Sequence, residues 1–89
     1  MSFSTNRRNA LDPSRPMAHR LSHARSCAML MGQKYRVPRS AILEFIRKTS
    51  GINLTEPVTE AELAEAVRIL ERIKKDGLAA TQPRGRPES

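Results

Sequence analysis

Apolar residues are sparse in this chain, and their spacing marks out its elements. Between residues 59 and 77 (TEAELAEAVRILERIKKDG), Leu63, Ala66, Val67, Leu70 and Ile73 recur at the three- and four-residue steps of one helical face. Ile69 widens that stripe to about 160° at the helical 100° per residue. Both ends are specified as well. Thr59 with Glu62 three residues later is a capping box, and Val58 with Leu63 has the spacing of a hydrophobic staple. Glu60, Glu62 and Glu65 crowd the positive end of the helix dipole, and Lys74 and Lys75 the negative end. Glu71 and Lys75 form an (i, i+4) pair, and Gly77 supplies a left-handed stop. These signals predict a helix over 60–76.

Two further helices follow from weaker patterns. Met17, Leu21, Ala24, Ala28 and Met31 step by four, three, four and three, a narrow heptad-like seam over 17–31. Pro16 suits its first position and Gly32 its stop. Ile42, Leu43, Phe45 and Ile46 give an apolar face to a helix over 40–50, with Ser40 as the N-cap and Gly51 as the stop, against which Ile52 packs back. Between these helices, QKYRV alternates polar and apolar residues before Pro38. Four residues do not separate a short strand over 34–37 from an extended linker. Pro57 keeps 53–58 as a connection.

The expected fold is therefore all-α: a small three-helix domain over 16–78. Residues 1–15, polar with an Asp12-Pro13 turn signal, are expected to be a disordered basic arm. Residues 79–89 (AATQPRGRPES) are expected to be a disordered Pro/Gly/Arg tail. The candidate core is Met17, Leu21, Met31, Val37, Ile42, Leu43, Phe45, Ile46, Ile52, Leu54, Leu63, Val67, Ile69, Leu70 and Ile73. That set suits a domain of roughly 60 residues at the edge of independent stability.

Charge adds the first functional information. Of the 16 Lys and Arg, eight fall in residues 1–39 against Asp12 alone, a net +7 there. The middle of the chain is near neutral, and the total is +7. This asymmetry points to a polyanionic partner, nucleic acid before an anionic membrane. The single cysteine excludes an internal disulfide framework and suggests a reducing compartment. No apolar run approaches membrane-spanning length, and the N-terminus lacks the apolar stretch of a secretory signal. The expected location is cytoplasmic, of bacterial or phage type, or nucleoid-associated, and not secreted.

Enzymatic chemistry finds no support: there is no nucleophile with a base, no Gly-rich loop opening a helix and no expected cofactor. His19, His23 and Cys27 form H-x3-H-x3-C on one helix. Positions eight apart lie ~12 Å along the axis, so the three do not meet at one ion. No other Cys or His completes a tetrahedral set, and the expectation is no metal site.

The tail holds the sharpest motif, Pro83-Arg84-Gly85-Arg86-Pro87. It resembles the core of the AT-hook, a short DNA-binding peptide. Glycine lets the backbone approach a groove floor, while flanking arginines extend along a narrow A·T-rich minor groove of enhanced negative potential. The resemblance implies Arg84, Gly85 and Arg86 as contact residues. It departs from the family in its flanks, where Gln82 and Glu88 stand in place of further basic residues. Residues 34–76 are loosely similar to ribbon-helix-helix repressors. That resemblance implies Lys34 and Arg36 facing DNA, but the connection over 51–59 is longer than the family's turn. It is also too long for a helix-turn-helix.

The leading expectation is a small DNA-binding accessory or regulatory protein acting mainly through the phosphate backbone of duplex DNA. Its candidate contacts are Arg7, Arg8, Arg15, Arg20, Arg25, Lys34, Arg36, Arg39, Arg84, Gly85 and Arg86. A homodimer is expected through Met17, Leu21, Ala24, Ala28, Met31, Ile69 and Ile73. The alternative is a helical adaptor that binds a protein partner through its Met-rich helix, and the third reading an RNA- or ribosome-associated protein.

Overall fold

In the computed structural model, which describes residues 2–78, four α-helices follow one another: α1 (Phe3–Ala10), α2 (Met17–Tyr35), α3 (Arg39–Ser50) and α4 (Glu60–Asp76). The all-α class stands. The best-specified element forms as its spacing requires. Glu62 N–H donates to Thr59 Oγ1 at 3.1 Å, and Thr59 N–H donates to Glu62 Oε1 at 2.8 Å, closing both halves of the capping box. Gly77 ends α4 with φ 91° and ψ 162°. This is a positive-φ stop with extended ψ rather than the expected left-handed cap.

The N-terminal segment departs from expectation. Phe3–Ala10 is a helix, not a disordered arm. Ser2 caps it by accepting from Thr5 N–H at 3.2 Å. Phe3, Asn6 and Ala10 form its buried face. An eight-residue helix is marginal alone in water, so its docking on α2 supplies most of its stability. Asn6 sits in that interface satisfied: its amide N donates to Ser2 O at 3.1 Å, and its Oδ1 meets His23 Nδ1 at 2.8 Å.

Helix α2 also outruns its expected end. Gly32 does not stop it. The helix continues through Lys34 and Tyr35, so neither a strand nor an extended linker occupies 34–35. Gly32 is there for space: a Cβ at this position would fall 2.6 Å from the Val37 carbonyl oxygen. The residue that takes the left-handed conformation is Arg36, at φ 59° and ψ 42°. Val37 N–H then donates to Gly32 O at 2.9 Å and Arg36 N–H to Gln33 O at 3.4 Å, the bonds of a Schellman motif with arginine where glycine is usual. Without a strand, the ribbon-helix-helix comparison loses its ribbon. Helix α3 begins at Arg39 with Pro38 as its N-cap, so Ser40 lies inside the first turn. Gly51 stops α3 at φ 80°, and the following Ile52 is buried.

Cross-links fix the helix directions. Arg20 near the start of α2 meets Glu60 at the start of α4, and Tyr35 at the end of α2 donates to Ile73 O near the end of α4, at 3.0 Å. These two helices run parallel. Helix α1 runs against them, since Phe3 lies by Cys27 and Ala10 by Arg20. Helix α3 turns back along α2 and delivers Leu54 to Arg25. One end of the bundle thus gathers the starts of α1 and α3 and the ends of α2 and α4.

The core contains most of the expected set. Leu21, Met31, Ile42, Ile46, Ile52, Leu54, Leu63, Val67, Ile69, Leu70 and Ile73 are buried, and Met17, Val37, Leu43 and Phe45 pack half-buried against them. Phe3, Ala10 and Cys27 join this core, unforeseen from the sequence. No helix among the described residues is long and apolar enough to cross a membrane.

Candidate nucleic-acid interface

The candidate contact cations among the described residues fall in different parts of the bundle. At the end where α2 and α4 start, they are structural. Arg20 is 4% exposed and cross-links three helices. Its Nε donates to Ala10 O at 2.8 Å, while Nη1 and Nη2 donate to the two Glu60 carboxylate oxygens at 2.8 and 2.6 Å. This forked pairing is the strong form of an Arg–carboxylate contact. It raises the Arg20 pKa further and holds the Glu60 carboxyl below its usual range. Arg25 donates to Leu54 O at 2.8 Å, and Arg15 lies 3.4 Å from Asp12. Arg20 is therefore buried and paired rather than presented to solvent. Arg25 and Arg15 are already committed to partners within the chain.

The opposite end is different. Lys34 Nζ donates to Lys74 O at 3.2 Å and lies 5.5 Å from the Tyr35 ring centroid, which brings the ends of α2 and α4 together. Arg36 follows in its strained left-handed conformation, and Arg39 opens α3 against the last turn of α2. Lys74 lies 5.6 Å from the Phe3 ring centroid, and Lys75 is exposed beside it. None of Lys34, Arg36, Arg39, Lys74 and Lys75 has a carboxylate within ion-pair distance among the described residues. Helix α3 carries no side-chain N-cap bond and no acid in its first turn, so the positive end of its dipole faces the same side uncompensated.

A shallow cleft of about 320 Å³ opens at this end, lined by Phe3, Ser4, Arg7, Glu71, Lys74 and Lys75. Arg7 forms an ion pair with Glu71 there. The expected Glu71–Lys75 pair does not form; an arginine from the unforeseen helix has taken the carboxylate. Arg8 is exposed on the same helix without a carboxylate partner among the described residues.

The expected dimer face is used inside the monomer. Leu21, Ala24, Ala28, Met31, Ile69 and Ile73 are all buried in the four-helix core, and Met17 packs against it. The seam is real as a pattern, but the chain itself supplies the partners. Of large apolar side chains among the described residues, Met29 alone is exposed, at 42%. The H-x3-H-x3-C set is dispersed in function. His23 bonds Asn6, His19 is exposed, and Cys27 is buried against Phe3 O, where burial pushes its thiol up to about 12. A thiol so raised is a packing group at neutral pH, not a nucleophile.

Arg84, Gly85 and Arg86 lie outside the described residues. Lys74 and Lys75 are cations whose local pattern assigns them elsewhere, as partners of the dipole and of Glu71; only their nearness to α1 and to the end of α2 brings them into the cluster. No protein-family model, curated protein or solved structure matches this chain.

Proposed function

We propose that the protein binds duplex DNA through the bundle end carrying Lys34, Arg36, Arg39, Lys74 and Lys75, in an accessory or regulatory role. The observation that carries this reading is the convergence of five cations from three helix termini, with no carboxylate partner among the described residues. Such a cluster neutralises phosphates irrespective of sequence and gains affinity from counterion release. Arg36 adds support. A non-glycine residue held at φ 59° costs roughly 1–2 kcal/mol, and such strain gathers at positions where the side chain is used.

Two other readings draw less support. Stacking on single-stranded nucleic acid needs exposed aromatics, whereas Phe3 is buried, and Tyr35 and Phe45 are half-buried. An adaptor needs a broad apolar face; the core takes up most of the candidate seam and leaves Met29 as the exposed large apolar side chain among the described residues. The AT-hook-like segment extends the proposal. It follows Leu78, which packs against the core just beyond the end of α4.

Duplex affinity measured by fluorescence anisotropy over a salt series tests the reading. Each lost phosphate contact lowers the log–log salt slope by about 0.9. Lys74→Ala with Lys75→Ala is expected to lower it by more than one such step, while Arg15→Ala leaves it nearly unchanged. Removal of residues 82–89 is expected to reduce any preference for A·T-rich DNA. Absence of binding by micromolar wild-type protein at low salt, or tighter binding to an A-form RNA duplex, would overturn the assignment.

A further inference from the structure

We infer that Arg7 is a positioning residue for the basic end: by capturing Glu71 it leaves Lys74 and Lys75 available to an external polyanion. The inference rests on the DNA-binding reading and specifies how the site is kept cationic.

Glu71 lies four residues before Lys75 and three before Lys74, so on an isolated helix it pairs with one of them. That pairing would cancel part of the charge where three helix termini meet. In the folded chain the carboxylate is instead held by Arg7, and Lys74 and Lys75 have no acidic partner among the described residues. The capture depends on α1 being docked. Phe3 is 8% exposed and anchors the start of that helix in the core, with Lys74 5.6 Å from its ring centroid. Asn6 and Ala10 register the helix along α2 through His23 and Arg20. This docking places Arg7 over α4 one turn before Lys75. Four side chains of the cleft, Arg7, Glu71, Lys74 and Lys75, thus form a set in which one cation neutralises the only carboxylate.

The same arrangement makes polyanion affinity depend on α1. When α1 is undocked, Glu71 returns to its helix neighbours and the end loses effective charge. Arg7 need not touch the polyanion for its removal to be felt.

A four-protein comparison on one duplex tests this, with melting curves to confirm folding. Arg7→Ala is expected to weaken binding and to lower the salt slope by about 1, as one lysine is drawn onto Glu71. Arg7→Ala with Glu71→Gln is expected to return affinity and slope to wild-type values. Arg7→Ala with Glu56→Gln has the same net charge, but it removes an exposed carboxylate in the connection before α4, away from Glu71 and its helix neighbours, and is expected not to rescue. Equal rescue by both pairs would reduce the effect to net charge and overturn the inference. Failure of Glu71→Gln to rescue would make Arg7 a direct contact or a purely structural residue, which also overturns it. Loss of binding in the wild type itself is the separate failure of the DNA-binding reading.

Discussion

The two ends of the bundle use the same residue types for opposite purposes. At one end Arg20 is buried, forked onto Glu60 and bonded to Ala10 O, while Arg25 closes on Leu54 O. At the other, Lys34, Arg36, Arg39, Lys74 and Lys75 meet without a carboxylate partner among the described residues. The first end holds three helices together; the second leaves charge facing solvent. A net charge of +7 does not distinguish them. What distinguishes them is which acids the fold brings within reach.

The largest expected effect breaks the structural end. Arg20→Ala removes a buried guanidinium with three bonds and leaves the Ala10 carbonyl without that donor; a loss of about 3 kcal/mol is expected in urea unfolding. If the ends are as different as proposed, the salt slope of duplex binding stays near wild type for the fraction that folds.

Gly32→Ala should come next. The new Cβ would lie 2.6 Å from Val37 O, and the obstacle is backbone rather than a mobile side chain. A loss of about 2 kcal/mol is expected from forced displacement of residues 36–38, read as a lower thermal midpoint. Because Arg36 and Arg39 flank that turn, binding should weaken along with stability.

Arg36→Gly sharpens the comparison because its two effects have opposite signs. Relief of the left-handed strain at φ 59° should raise stability by about 0.5–1 kcal/mol. Loss of the guanidinium should weaken duplex binding. A variant that is more stable and binds as well as wild type would show that Arg36 has no part in the interface.

The smallest effect concerns pH. Hydrogen bonds from Arg20 hold the Glu60 carboxyl below its ordinary value of 4.5. The contribution of this bridge is therefore present above about pH 4.5 and is lost as pH falls through the depressed folded value. Glu60 is largely exposed, so water screens the contribution. Glu60→Gln should flatten the acid limb of the stability profile slightly, measured by unfolding across the carboxylate range.

Legibility in the sequence follows the range of the forces involved. Thr59, Glu62 and the 63–73 stripe are local signals, and α4 forms as they indicate. Gly51 ends α3 for the same reason. Helix α1 escapes a reading of pattern because its buried face is Phe3, Asn6 and Ala10, too polar to stand out from a basic arm; its partners lie on α2. Gly32 misleads because a glycine near a helix end suggests a positive φ, whereas the need here is room for a backbone turn. The candidate contact residues are half legible. Lys34, Arg36 and Arg39 remain exposed candidates, while burial removes Arg20 from the surface.

By itself, then, the sequence determined the all-α class, the limits of α4 and most of the core, because caps, stops and three- or four-residue periodicity act within a few turns. Only the tertiary structure decided which cations are left without an acid. Arg20 meets Glu60 across 40 residues of chain, and Arg7 reaches Glu71 from a helix that depends on docking. Charge availability depends on such long-range pairings, and no local pattern encodes them.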